Sequence, residues 1–576
     1  MSLSSTKFKI RIEDREYKKY SFSNAITLNP EIPKEDICPV KNKLFNHDVI
    51  ECCDKKINIV HSSIRHMTTI PGVLVLENNK RYGKHKQKFL YKCIPDDKRM
   101  PEFLVPYSSK SSFNKNKSNL YIVFKYISWD HKHPRGQIVQ ILGEVNNLSN
   151  FYEYQLYCKS LYASIQNFNK RTIGALREKT QEEFIDIMIN KFKPENRLDR
   201  DIITIDSKRS TDFDDAIGVI YKDDVIIFSV YISNVAIWLD TLSLWDSFSQ
   251  RIATIYLPDR KRPMLPTVLS EGLCSLNENT IRFAITLDIH INKDTFEIID
   301  YEFKNTYIRV SQNLRYEDRE KLYQNKMYSE IFSTVKNLNK CQNKTQRYTD
   351  HINSSHDVIA YAMILMNYYS AKEFQKHKMG IFRTSHIKRD VSYPDNISKD
   401  IKKFLTIWNS SGGSYCKYET FGTHEILELD AYMHITSPIR RLVDLMGIIK
   451  LCSIMNLCDL DNGAKDFYKK WATDESINYI NRTMRSIRKV QNDCTLLKAC
   501  CQDEIDMNIE YDGYIFDKIQ RNDSLYQYMV YLPKLKLTNR ITSRVDRDNM
   551  TMQKFNLYIF LDEVRMKKKI RLAFVE

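Results

Sequence analysis

Apolar residues fall into short alternating runs toward both ends of the chain and into helically spaced runs between them. The stretches GVLVLENN (from Gly72), KFLYKCIPDD, PEFLVPY, Leu120 to Tyr126 and Gln137 to Leu142 are separated by turn-like polar residues, including Pro134-Arg-Gly136. Five short strands in about seventy residues predict an OB-type barrel. A second series, YDGYIFDKI, LYQYMVYLPKLKL, FNLYIFLDEV and KKKIRLAFV, alternates in the same way from Ile509 onward and predicts another. Between them, Phe184, Ile185, Ile187, Met188 and Phe192 recur at helical spacing, and DVIAYAMILMNYYSAKEF, from Asp357 to Phe374, reads as a helix. Residues 1–67 show weak strand alternation, as in Phe8-Lys-Ile-Arg-Ile, and no motif.

The chain is organised around Ile202 to Val219. Ile202, Ile203 and Ile205 end one apolar strand, and Ala216, Ile217, Val219 and Ile220 begin another. Asp206, Asp212, Asp214 and Asp215 lie on the connection between them. Carboxylates gathered this closely repel, so a compact fold must offset them with protons, cations or bound metal. Mg²⁺ suits such an oxygen-only set and leaves room for substrate phosphate. A solvated acidic loop is the plainer alternative.

A second chemical stretch is YMHITSPIRRLVDL, from Tyr432 to Leu445. Thr436, Ser437 and Pro438 predict a helix entry, with Ile439, Leu442, Val443 and Met446 as its apolar stripe. Arg440 and Arg441 then fall in the first turn, where the helix dipole disfavours cations. A nucleic-acid phosphate or local carboxylates would remove that conflict.

Lys and Arg together exceed Asp and Glu, giving a formal net charge of +16 over 576 residues. That charge suits a polyanionic partner. The low counts of 14 Gly and 15 Pro argue against a low-complexity chain. Thirteen cysteines occur without any Cys-x-x-Cys pair, so neither a zinc ribbon nor a disulfide framework is indicated, and a reducing, intracellular compartment is expected. The N-terminus lacks the apolar core of a secretory signal, and no eighteen-residue apolar run occurs, so no membrane partner is expected.

Together the two chemical stretches resemble the ribonuclease II / ribonuclease R (RNB) family of 3′→5′ exoribonucleases, the exosome nuclease branch included. The spacing Asp-x5-Asp-x-Asp-Asp followed by Ala-Ile, and TSPIRR with Asp444 after it, look like the two signature blocks of its catalytic domain. Intervening blocks keep the same order: YISNVAIW, Tyr256-Leu-Pro, Arg262-Pro-Met-Leu-Pro and Leu273-Cys-Ser-Leu. IPDDKRMPEF and HPRGQIVQILG resemble the family's cold-shock-type domain. The resemblance implies a multidomain α+β protein, with a central RNB-type catalytic α/β domain flanked by small OB-type β-barrels. The expected organisation is residues 1–67 without assigned role, a cold-shock/OB-type RNA-binding domain over 68–165, a linker and helical approach over 166–196, the RNB catalytic domain over 197–502, and a C-terminal OB-type RNA-binding barrel over 503–576.

The same resemblance implies hydrolysis of single-stranded RNA to nucleoside 5′-monophosphates, with the strand threaded into an enclosed catalytic domain. Asp206, Asp212 and Asp215 are expected to hold Mg²⁺, with a second ion possible and Mn²⁺ as a substitute. Asp214, most critical for turnover, would act through that second ion or the attacking water, and Arg440 would neutralise charge on the scissile phosphate. Tyr256 would stack near the RNA 3′ end and Tyr316 would sit against the terminal ribose. As residues alone, both could equally be half-buried tyrosines. His424 and Tyr432 are expected to pack nearby. Three departures bear on selectivity. Ala360 stands where a ribose-recognising glutamate is expected, with Asp357 one turn earlier as a partial substitute. The connection from Tyr316 to that helix is short, removing a hairpin that supplies an end-clamping aromatic, and Ile448-Ile449 replaces an expected His-Arg pair.

Overall fold

The computed structural model describes residues 7–33, 36–53, 56–108, 117–342, 351–387, 394, 397–410, 413–502 and 505–575. Two compact units emerge: Ala163–Tyr256 with Arg260–Arg488, and Met1–Tyr162 with Leu257–Asp259 and Lys489–Glu576.

The first of these is built on a seven-stranded mixed sheet. Its strands are β1 (Glu195–Arg197), β2 (Ile203–Asp206), β3 (Asp215–Tyr221), β4 (Val225–Ser233), β5 (Ile281–Asn292), β6 (Ile298–Arg309) and β7 (Gln312–Arg315), in the order β1-β6-β5-β4-β3-β2-β7. Central strands pair antiparallel, whereas the edge pairs β1–β6 and β2–β7 are parallel. Strand β4 is buried along almost its whole length, in keeping with its apolar run VIIFSVYIS, interrupted within only by Ser229. Gly218 in β3 permits a close approach: a Cβ there would lie 2.9 Å from the Asp201 carbonyl oxygen.

Across this sheet Arg197 and Asp288 form a buried forked pair, Nη1 to Oδ1 at 2.8 Å and Nη2 to Oδ2 at 2.5 Å, and the Ser229 hydroxyl donates to Asp288 Oδ1 at 2.6 Å. Burial pushes the Asp288 carboxyl up, but Arg197 and Ser229 outweigh it and hold the group below the usual carboxylate range. Two helices complete the surroundings of the acidic loop. Helix α1 (Ser355–Lys376) opens with a reciprocal cap between Ser354 and Asp357, and α2 (Leu442–Ile454) is buried on nearly all sides.

In the other unit, Ile70–Leu74 pairs with both Leu120–Ser128 and Lys88–Pro95, closing a five-stranded barrel through Arg135–Glu144 and Phe103–Tyr107. The seemingly motif-free N-terminus forms a four-stranded sheet, Tyr20–Asn24, Lys7–Ile12, Val49–Cys53 and Lys56–His61. Its Phe8, Ile10 and Ile12 share one core with barrel residues Phe103 and Phe124. A five-stranded sheet over Tyr511–Phe574 packs its own core on Tyr528, Val530 and Phe555. Both barrel expectations thus meet all-antiparallel or nearly antiparallel sheets of the expected length.

Candidate active site

Strand β2 delivers Asp206 at its last position and β3 begins with Asp215, so the loop between them holds the acidic cluster at one end of the sheet. The backbone of Tyr316, just beyond β7, donates to the Asp206 carbonyl at 2.9 Å and ties the ring to the same end. Arg315 donates to the carbonyls of Ser207 and Ser210 and lies over the Phe213 ring, which holds the loop from inside.

Asp214 is almost fully buried and links the two chemical stretches. Its Oδ2 accepts from Arg440 Nε and its Oδ1 from the Ile439 backbone N–H, both at 2.8 Å. Burial raises the Asp214 carboxyl to about 7, while Arg440 and the Ile439 amide pull against it. Arg441 instead pairs with Asp444 at 2.7 Å, and Ser437 donates its backbone N–H to the same Asp444 oxygen. The expected helix entry at residues 436–438 is therefore displaced. Helix α2 begins at Leu442, with Arg441 as its cap residue and Arg440 in the preceding turn. Two carboxylates hold the arginines there, which places Arg440 before the dipole's positive end.

Asp206, Asp215, Tyr316 and Arg440 line one cavity of about 380 Å³, together with His434 and with Ile359, Met363 and Asn367 from one face of α1. Burial raises both Asp206 and Asp215, the Asp214 charge adds to this at Asp206 and the Asp206 charge at Asp215, and Arg440 opposes it in each. Asp206 Oδ2 is buried without a hydrogen-bond partner. Asp212 lies apart, accepting from Lys261 Nζ at 2.8 Å and from the Tyr256 hydroxyl at 3.4 Å. Tyr316 stacks on His356, ring centroids 3.7 Å apart at 18°, and burial beside Asp215 and Asp206 raises its phenol.

Asp357 does not line the cavity. Its Oδ2 accepts from the backbone N–H groups of Asn353 and Ser354 and from the Ser354 hydroxyl. Ala360 likewise lies outside the lining, which uses Ile359 and Met363 instead. The short connection from Tyr316 to α1 contains helices Arg319–Gln324 and Lys326–Gln342, and its stretch 343–350 lies outside the described residues. Sequence reasoning passed over His434 and His356. Position could have drawn attention to His434, two residues before Thr436-Ser437-Pro438.

Among the described residues, no three carboxylate, imidazole or thiol groups form a ready metal cage. Two of the four loop aspartates are engaged by Arg440 and Lys261. The remaining pair, with an unpartnered buried oxygen and raised carboxyls, fits a hard divalent cation. No helix among the described residues is long and apolar enough to cross a membrane.

Residues 196–450 match the RNB domain model, and residues 90–153 match a Dis3-like cold-shock domain 2. Ribonuclease R of Chlamydia pneumoniae is 23% identical over 377 residues, 54% of this chain and 54% of that protein. The chain spans between about a fifth and about half the length of the curated relatives first matched. Among solved structures, Mycoplasma genitalium RNase R in complex with ribose-methylated single-stranded RNA superposes with a TM-score of 0.66 at 15% identity. That superposition covers 98% of this chain and 100% of the other. Yeast Ssd1, described as a pseudonuclease, gives 0.58 at 13% identity over 96% of this chain and 80% of its own. At such identities these superpositions establish the multidomain α+β fold with OB-type barrels.

Proposed function

Residues 196–450 match the RNB domain, and on that premise we propose that the chain is an RNB-family hydrolytic 3′→5′ exoribonuclease releasing nucleoside 5′-monophosphates from single-stranded RNA. The observation that carries this reading is the Asp214–Arg440 pair, which joins two stretches 226 residues apart at the rim of an acidic cavity. Asp206 and Asp215, with Asp212 and Asp214 beside them, would hold Mg²⁺, as one ion or two, with Mn²⁺ able to substitute. Bound there, the metal supplies Lewis-acid charge and an activated water.

The chain's own groups do the rest. Arg440 gives Nε to Asp214 and Nη2 to the Ser437 hydroxyl, which leaves its Nη1 hydrogens for an anion. Held in this way, the guanidinium neutralises charge growing on the scissile phosphate without reorganising. Tyr256 offers a partly exposed ring to the RNA 3′ end, and Tyr316 faces the terminal ribose from the cavity wall.

A second reading, an RNB-family RNA-binding scaffold with weakened catalysis or a nuclease of relaxed sugar selectivity, is favoured by the α1 face. Ala360 replaces the expected glutamate, and the Asp357 carboxylate is occupied at the helix start. The test is cleavage of 5′-labelled single-stranded RNA and matching DNA by wild type and Asp214→Asn, with Mg²⁺ or EDTA. The expected result is shortening of RNA alone, abolished by EDTA and by the substitution while binding persists. Binding without cleavage by wild type would support the scaffold, and equal loss of DNA would remove the ribose selectivity.

A further inference from the structure

His434 lies on the cavity wall between the acidic cluster and the base of α2, and its ring nitrogens are unequally engaged. Nδ1 is 2.8 Å from the Tyr415 hydroxyl and 3.4 Å from Arg441 Nη1. Arginine only donates, so Nδ1 must be the accepting nitrogen and the proton must sit on Nε2. Tyr432 and Tyr415 meet the imidazole edge-on, at centroid distances of 5.8 and 5.6 Å, and fix its plane. Among the described residues, Nε2 has no protein partner, and it is not sealed from the cavity.

We propose that His434 is a further catalytic residue of the reaction inferred above: an imidazole whose Nε2–H donates to a non-bridging oxygen of the terminal phosphodiester. The inference rests on the exoribonuclease reading and adds a donor to it. The charged groups facing the ring explain why it stays neutral. Burial comes first, then Arg441, Arg383, His424 and Arg440, and together they hold the imidazole well below its usual range. A protonated ring would also lose its acceptor for Arg441. Arg440 supplies the positive charge at this oxygen, and the imidazole supplies direction: a rigid donor in a site already crowded with cations. Such a fixed donor acts on the transition state more than on the bound strand.

Two measurements test this on the full chain. The first is imidazole ¹⁵N spectroscopy of the histidine-labelled protein, with His434→Gln used to assign the signal. A neutral Nε2–H tautomer that persists from pH 8 to 5 is expected. A signal titrating near 6.5, or an Nδ1–H tautomer, would overturn the proposal whether or not the protein cleaves RNA. The second is steady-state cleavage of single-stranded RNA. His434→Ala should lower kcat about 10²-fold with KM nearly unchanged. His434→Gln, which keeps an N–H at a similar reach, should recover at least tenfold of that loss. Gln no better than Ala, or a loss confined to KM, would refute the donor role. An inactive wild type with the expected tautomer would instead remove the exoribonuclease reading, and the catalytic role with it.

Discussion

Two arginine–aspartate pairs in the same unit serve opposite ends. Arg197 and Asp288 are 0% and 3% exposed, make a two-pronged bond and leave the carboxyl below its usual range. Arg440 is 44% exposed, touches Asp214 through Nε alone, and leaves the carboxyl raised to about 7. The first pair is closed: beyond their mutual bonds, Arg197 gives Nε to Glu195 and Asp288 accepts from Ser229. The second is open, since one face of the guanidinium remains for an incoming anion while the buried aspartate fixes its direction. An ion pair that satisfies itself holds a fold, and one left incomplete on the solvent side can serve a substrate.

The largest expected effect breaks the open pair. Asp214→Asn should reduce RNA cleavage by about 10³-fold or more, and Arg440→Lys, which lacks the planar fork, by about 10²-fold, both with near-native unfolding curves. Single-turnover cleavage and urea denaturation together measure this. Breaking the closed pair should do the reverse. Asp288→Asn leaves the buried Arg197 guanidinium with Glu195 as its remaining carboxylate partner and should cost about 3 kcal/mol of stability, while the folded fraction keeps its kcat. Replacing both partners with apolar residues of similar volume should cost much less than the single change.

Acid offers a smaller contrast within the same unit. Burial, helped by Arg383, brings His424 down to about 4, against about 6.5 when unfolded. The unfolded chain therefore binds more protons between those values. Stability is full above pH 6.5 and falls as pH drops toward 4, by on the order of 2 kcal/mol at pH 5 from this group. His424→Gln should flatten that fall in denaturation midpoints compared at pH 7 and 5. The smallest effect concerns Asp357. As a helix cap, its replacement by Ala should cost about 1 kcal/mol and leave discrimination between RNA and DNA unchanged. Lost discrimination would return it to a substrate role.

The sheet strands flanking the acidic loop were legible because Ile202–Ile205 and Ala216–Ile220 are apolar but for Thr204 and Gly218, and both barrels because their strands alternate. The meeting of Asp214 with Arg440 was not legible from spacing. It depends on a turn at Ser437–Arg440 that local propensity reads as helix, and only the buried carboxylates of Asp214 and Asp444 select the turn. His434 was silent for a related reason: its ring is held through Nδ1 by Tyr415, a residue distant in sequence on the strand Ser414–Lys417. The N-terminal sheet hid because its inward residues, Phe8, Ile10 and Ile12, are too few to mark a domain alone and gain meaning only against the barrel core.

Strands β2 and β7 lie side by side in parallel, Asp206 opposite Arg315, with Tyr316 bonded through its backbone to the Asp206 carbonyl. The gap between the first carboxylate and the aromatic ring is thus set like a caliper clamped on main chain at both jaws. Segments spliced into the exposed turns between residues 207 and 311 would leave that gauge intact. A slip of one residue along the β7 edge would turn the ring's neighbour outward and misalign the jaw for every substrate at once.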